Sequence, residues 1–223
     1  MTTVETPEAS QVPVKQEEPQ KRGFFRELPV LLVVSLVLAL LIKSFLIQAF
    51  YIPSPSMVPT LKPGDRVLVN RLAYVFHPPR RGDIIVFDDP QATGNRSVPS
   101  AFWHWLTQGF GFGGSSDKDY IKRVIALPGE TVEIRGGTVF IDGHPLSEPY
   151  LSPIKDGRDF PPRTIPSGML FVLGDNRTNS GDSRFEPGAG GLGLIPAGKV
   201  IGRAFVTVWP PSRMGWLPGH RYG

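Results

Sequence analysis

The 223-residue chain has no cysteine. That absence excludes a disulfide framework, thiolate metal sites and a cysteine nucleophile. Histidine is scarce. His77, His104, His144 and His220 lie in Pro-, aromatic- or Gly-flanked contexts without metal-ligand spacing, so no metal and no cofactor is expected. Concentrated charge is also missing. The formal net charge is +4 and the basic residues are scattered. This argues against a nucleic-acid partner and is compatible with mild attraction to anionic lipid. Helical periodicity is rare over most of the chain. The 25 Gly and 24 Pro, about 22% of residues, oppose a helical bundle, because these are the worst residues for helix interiors. An apolar fraction of 40% still permits a core.

What is present divides by composition. Residues 1–27 read as a tail, polar and Pro-containing at first and then basic at Lys21, Arg22 and Arg26. From Leu28 to Ile42 no residue is charged, and most are Leu, Val or Ile. That run alone spans only ~22 Å, short of a ~30 Å hydrocarbon core. Continued past Lys43 through Phe45, Leu46, Ile47, Ala49 and Phe50 it reaches ~34 Å, with Lys43 snorkelling. Residues 28–50 are therefore expected to form a single transmembrane helix. The basic residues before it place the N-terminus in the cytoplasm and everything after Phe50 outside it. A cleaved signal peptide is the competing account; no small-residue cleavage site follows at a good position.

Residues 51–223 alternate with period two rather than 3.6. Strands are expected at Arg66–Asn70, Asp83–Phe87, Tyr120–Ile125, Thr131–Arg135, Thr138–Asp142, Met169–Leu173 and Val200–Val208. Gly136-Gly137 and Asp142-Gly143 read as hairpin turns. The fold class is thus all-β and mostly antiparallel behind one N-terminal helix. Residues 88–118 read as an insertion loop. Its Phe102, Trp103, Trp105 and Phe110 fit either a headgroup-level anchor or packing on the sheet.

Three clusters could carry chemistry. Ile52–Leu61 holds Pro53, Pro55 and Pro59, which read as stiff, extended chain presenting Ser54 and Ser56. Taken alone, these residues fit a rigid linker better, with no role for the hydroxyls. In Asp119–Gly129 the adjacent Lys122 and Arg123 cannot both face solvent on a regular strand. A lysine turned inward loses hydration, its pKa falls, and it can serve as a base. A snorkelling lysine on an edge strand is the alternative. Gly174–Arg184 is almost wholly polar or Gly and follows an apolar strand, as a solvated loop or as one that fixes something by hydrogen bonds. Asp175 and Asp182 could be an acid/base pair, but Arg177 and Arg184 at the same spacing argue for salt bridges.

In this order behind a hydrophobic segment, the clusters resemble bacterial type I signal peptidase. Its Pro-Ser-x-Ser-Met-x-Pro-Thr-Leu run is matched by Pro53–Leu61 and its Gly-Asp-plus-apolar run by Gly82–Phe87. Its Tyr-Ile-Lys-Arg with Leu-Pro-Gly is matched by Tyr120–Gly129, and its Gly-Asp-Asn-Arg loop by Gly174–Arg184. The resemblance implies a membrane-bound serine endopeptidase that removes leader peptides from exported preproteins, with small side chains one and three residues before the cut. It implies Ser56 as nucleophile and Lys122 as general base, in the manner of serine–lysine variants of the triad. It implies Ser54 and the Ser56 amide as the oxyanion hole, Ser180 as the hydroxyl that orients the lysine, and Asp182, Arg184 and Arg123 as support. Phe50, Ile52, Pro53, Met57, Leu61, Tyr120 and Ile121 would line shallow substrate pockets. It implies the plasma membrane as location and the bilayer as a partner. Thr178 departs from the family's frequent Asp, and Pro55 removes one backbone donor between the serines. The competing readings are a specialised peptidase for one export or conjugation substrate and a catalytically silent β scaffold.

Overall fold

The computed structural model describes residues 24–91, 119–152 and 156–217. The chain divides into two units, Met1–Ala39 and Leu40–Gly223. Helix α1 covers Phe24–Phe45, and along it Leu31, Leu32, Val33 and Val34 are each more than half exposed. Among the described residues no helix is long and apolar enough to cross a membrane. The expected helix to Phe50 is corrected at its end. Ile47–Tyr51 is strand β1, not helix. The physical reason is pairing: β1 lies antiparallel to β2, Arg66–Asn70, with Phe50 opposite Val67 and buried. An apolar run read as continuous therefore changes structure after Phe45.

The β unit comprises the larger sheet and a smaller one. After β1 and β2 come β3 (Ile84–Asp88), β4 (Asp119–Ala126), β5 (Thr131–Arg135), β6 (Thr138–Ile141), β7 (His144–Pro145), β8 (Phe160–Thr164), β9 (Met169–Leu173), β10 (Ile195–Pro196), β11 (Val200–Trp209) and β12 (Gly215–Trp216). The larger sheet runs β1-β2-β11-β3-β4-β9-β10, with β12 on β11, and the smaller runs β7-β6-β5-β8. Every described strand pair is antiparallel. The seven strands read from alternation are all present to within a residue or two at their ends. Both turn signals hold as well. Gly136 and Gly137 have φ of 54° and 74°, and Asp142 and Gly143 have 49° and 80°. Two successive positive φ values are what a tight two-residue hairpin requires. Strand β8 escaped the reading because Pro161 and Pro162 look like punctuation. It is the edge strand beside β5, where a missing N–H is tolerated.

Strand β3 explains where the core sits. Its Ile84-Ile85-Val86-Phe87 run is buried on both faces, as a central strand must be. Ile84 and Val86 join Phe50, Ile52, Met57, Leu61, Val67, Val69, Ile121 and Ala204 in one cluster. Ile85 and Phe87 join Val124, Leu170, Val172, Leu192 and Ile195 on the other side. A third cluster seats the smaller sheet: Val132, Ile134, Val139 and Ile141 pack with Ile125, Ala126, Phe171 and Leu173. Burying each of these large side chains contributes about 1.5–3 kcal/mol. Strand β4 thus lies between β3 and β9 with packing on both faces, and it is the strand that carries Lys122 and Arg123.

Candidate active site

The segment after β1 is pinned at both ends by its own backbone. The Ile52 N–H donates to Asp65 O and the Gly64 N–H to Ile52 O. Between these points the expected extended segment is corrected: Pro55–Met57 is a single 3-10 turn. Proline is well suited to the first position of a helical turn, where its fixed φ fits and its missing N–H has no intrahelical partner. Ser54 caps this turn with extended φ and ψ but makes no capping hydrogen bond with its side chain. Its hydroxyl instead lies 3.2 Å from Ser56 Oγ. Ser56 itself is buried.

Across from this turn, β4 brings Lys122 and Arg123 into the interior together. Lys122 is 4% exposed and Arg123 0%. Of two neighbours expected to include one inward group, both are inward, because β4 is covered on both faces. The Lys122 ammonium donates to Ser56 Oγ at 2.8 Å and to Ile121 O at 3.0 Å. Burial pushes its pKa down from 10.5 to about 8, partly opposed by the Asp182 and Asp175 carboxylates. A substantial neutral fraction near neutral pH is the condition for a lysine to act as a base.

Arg123 is fixed from several sides. Its Nε and Nη2 donate to the two carboxylate oxygens of Asp175 at 2.8 and 2.7 Å, and its Nη1 donates to Gly82 O at 2.9 Å. Salt bridges were expected for Asp175 and Asp182, and they exist, but the partner of Asp175 is Arg123. Asp182 accepts from Arg184 Nε at 2.9 Å. Arg184 Nη2 also caps the Arg177 carbonyl at 2.8 Å, while its Nη1 reaches Asp156.

The Gly174–Arg184 loop closes over the serine turn. The Asn176 N–H donates to Ser56 O at 3.0 Å, and its side-chain amide donates to Pro55 O at 3.1 Å. Thr60 Oγ1 donates to Asp175. Gly174 is needed for clearance: a Cβ there would strike both Ser180 Oγ and Ser56 O. The Ser180 hydroxyl is buried and makes no hydrogen bond among the described residues. Its expected bond to Lys122 is therefore not formed; the ammonium is taken up by Ser56 and Ile121. Thr178, the departure in this loop, donates to Asn176 Oδ1 at 3.0 Å.

The glycine run after Arg184 also acquires a role. A Cβ on Gly181 would meet Gly190 O, and one on Gly191 would meet Phe185 O. The Leu192 N–H donates to Asp182 O, and the Gly193 N–H to Phe185 O. The run packs backbone to backbone on the loop that holds Ser180 and Asp182.

The expected pocket residues fare differently from the polar ones. Phe50, Ile52, Met57, Leu61 and Ile121 belong to one core cluster, with Met57 and Leu61 wholly covered. Tyr120 stacks on Phe87 at 5.9 Å, and Pro53 is exposed. The five apolar side chains pack together in the core, and Met57, part of the serine turn itself, anchors that turn to it. Asn176, Thr60, Glu148 and Tyr150 were missed as site neighbours, and Asp175 was expected to pair within its own loop. Asp175 and Asn176 lie within a recognised motif; no local pattern points to Glu148 or Tyr150. His77 makes an edge contact with Tyr74, His144 lies on β7, and no cluster able to hold a metal occurs among the described residues. His104, His220 and the aromatic residues Phe102, Trp103, Trp105 and Phe110 lie outside the described residues.

Comparison with known proteins gives the family. The family model for signal peptidase, peptidase S26, matches residues 25–209. The chain is 43% identical over 200 residues to the probable signal peptidase I-1 of Synechocystis, covering 89% of this chain and 90% of that protein. It is 44% identical over 184 residues to signal peptidase I of Leptolyngbya laminosa, covering 82% and 79%. It is 38% identical over 233 residues to signal peptidase I of Mycobacterium tuberculosis, covering 90% and 78%.

Proposed function

The chain belongs to the signal peptidase family, peptidase S26, and on that premise we propose that it cleaves leader peptides from exported preproteins with a Ser56–Lys122 dyad. The single observation that supports the dyad most is the 2.8 Å hydrogen bond between buried Lys122 Nζ and Ser56 Oγ, 66 residues away in sequence. Neutral Lys122 takes the proton of Ser56 as Oγ attacks the carbonyl carbon before the cut. The oxyanion is stabilised by the Ser56 N–H and the Ser54 hydroxyl, each such donor being worth about 3–4 kcal/mol. Protonated Lys122 then gives its proton to the leaving amine, and the leader peptide remains as an ester on Ser56. Water, deprotonated by the same lysine, hydrolyses that ester. Arg123, Asp182 and Arg184 keep the loop and strand in register, and the buried Ser180 hydroxyl, which makes no hydrogen bond among the described residues, orients the lysine during turnover. Small side chains one and three residues before the cut are accepted above the apolar floor of Ile52, Met57 and Leu61.

The substrate's own apolar segment calls for work at a membrane surface. The uncharged Leu28–Ile42 run, with basic residues before it, supports attachment to the bacterial plasma membrane with the N-terminus cytoplasmic. The exposed Leu and Val side chains of α1 fit a lipid contact. Partition of the full chain into the detergent-soluble membrane fraction after carbonate washing supports this; recovery in the wash rejects it.

The dyad is tested by preprotein cleavage in detergent. Ser56→Ala and Lys122→Ala are each expected to abolish turnover while the melting transition persists. Full activity in Lys122→Ala would sink the dyad.

A further inference from the structure

A second set of buried polar groups joins Arg123 and Arg177 to Glu148 and Tyr150, which lie in the connection between β7 and β8. The Arg123 guanidinium carbon stands 3.8 Å from the centre of the Tyr150 ring. The Tyr150 hydroxyl donates to Glu148 Oε1 at 2.7 Å. Glu148 in turn accepts from both terminal nitrogens of Arg177. Arg177 Nε donates to Gly174 O at 3.1 Å. All four side chains are nearly covered: Arg123 0%, Arg177 6%, Glu148 6% and Tyr150 8% exposed.

These contacts converge on three successive residues. Gly174 is held through its carbonyl by Arg177 and Asp175 through its carboxylate by Arg123, while Asn176 grips the backbone of Pro55 and Ser56. Arg123 is also the chain neighbour of Lys122. We propose that Tyr150 and Glu148 are positioning residues for the Ser56–Lys122 pair, acting through Arg123 and Arg177 on the Gly174–Asn176 segment. The role presupposes the serine–lysine chemistry proposed above. Tyr150 contributes a flat surface that holds the guanidinium plane by cation–π attraction. Glu148 neutralises Arg177, whose charge would otherwise be buried without a partner. Loosening either arginine moves the segment that sets the height of the Ser56 turn. A displacement of about 1 Å at that distance costs on the order of a hundredfold in rate.

The test is preprotein cleavage by the full chain in detergent, with Tyr150→Leu, Tyr150→Phe and Glu148→Gln. Tyr150→Leu and Glu148→Gln are expected to lower kcat about tenfold or more with KM within about twofold. The acid limb of kcat/KM should move upward in both, because water admitted near Lys122 weakens the burial that depresses its pKa. Tyr150→Phe, which keeps the ring over Arg123, should recover most of the loss. Amide exchange over residues 172–178 should quicken in Glu148→Gln while β2 stays protected. Folded variants with kcat and acid limb unchanged overturn the proposal, as does a loss confined to KM. If Tyr150→Leu does not fold, the Glu148→Gln rates and exchange decide by the same criteria. Ser56→Ala and Lys122→Ala run alongside separate the two ideas. Turnover kept in those variants removes the dyad itself. Turnover lost there but kept in Tyr150→Leu and Glu148→Gln removes only the positioning role.

Discussion

Arg123 and Asp175 meet through two parallel hydrogen bonds at 2.7 and 2.8 Å, with both side chains wholly out of water. A planar guanidinium matched to a carboxylate in this way is geometrically specific as well as strong. The pair joins β4 to the loop after β9, the two elements that bring Lys122 and Ser180 towards Ser56. Removing one partner leaves the other as a buried, uncompensated charge. Arg123→Met and Asp175→Asn are each expected to destabilise the fold by about 3–5 kcal/mol, seen in urea denaturation. The double variant Arg123→Met with Asp175→Asn should cost clearly less than the sum, since no charge is left stranded. Additive losses would show that the two residues act independently.

Much of this arrangement was legible in the residues, and the exceptions have physical causes. The strands carrying Lys122 and preceding Gly174 follow from period-two alternation. Adjacent residues on opposite faces of one strand require that at least one of Lys122 and Arg123 turn inward; that both do follows from the cover on both faces of β4, which alternation does not encode. What alternation does not encode is which distant groups meet. The Arg123–Asp175 pair spans 52 residues and the Arg177–Glu148 pair 29, so neither leaves a local pattern. Charge spacing inside the loop pointed to Arg177 as a partner for Asp175, yet Arg177 is drawn away by Glu148. Strand β1 was hidden because an apolar run does not announce where helical packing gives way to sheet pairing. The turn at Pro55 was hidden because proline is compatible with both extended chain and the start of a helical turn.

Gly174 separates a steric requirement from a general preference for glycine in loops. Added volume there meets the Ser56 carbonyl and the Ser180 hydroxyl, so Gly174→Ala must displace the serine turn or the loop. The expected result is a fall of about a hundredfold in kcat. Gly198→Ala is the control. That position has open space around it and is expected to stay within about 0.5 kcal/mol of the parent stability, with activity retained. Equal activity in both variants would show that the close approach at Gly174 has no bearing on turnover.

The glycine run beyond Arg184 makes a similar argument at one remove. Gly191→Ala drives a methyl group into the Phe185 carbonyl and side chain, and Phe185 follows directly on Arg184. Its backbone cannot yield without disturbing the Asp182–Arg184 contacts. A loss of about 1–3 kcal/mol in stability is expected, the usual range for overpacking. Gly157→Ala, in open surroundings, should be near neutral in the same urea titration. A neutral Gly191→Ala would mean the run is only a surface connection.

Lys122 links activity and stability to pH through one proton. Burial holds its pKa at about 8 in the folded chain, against 10.5 when unfolded. Below about pH 8 the side chain is charged in both states and the cost of burying that charge is fully present. Between pH 8 and 10.5 the folded state carries fewer protons than the unfolded one, so stability rises with pH across that window. Turnover follows the neutral fraction: kcat/KM should climb about tenfold per unit on the acid side and level off above about pH 8. Lys122→Met isolates the stability half of the argument. Its urea midpoint should lack the rise that the parent shows between pH 7.5 and about 9.5, because no group is left to lose the proton. A parent protein whose midpoint is flat there, or whose rate goes on climbing well above pH 8, would mean that Lys122 is not neutral when it meets Ser56 near that pH.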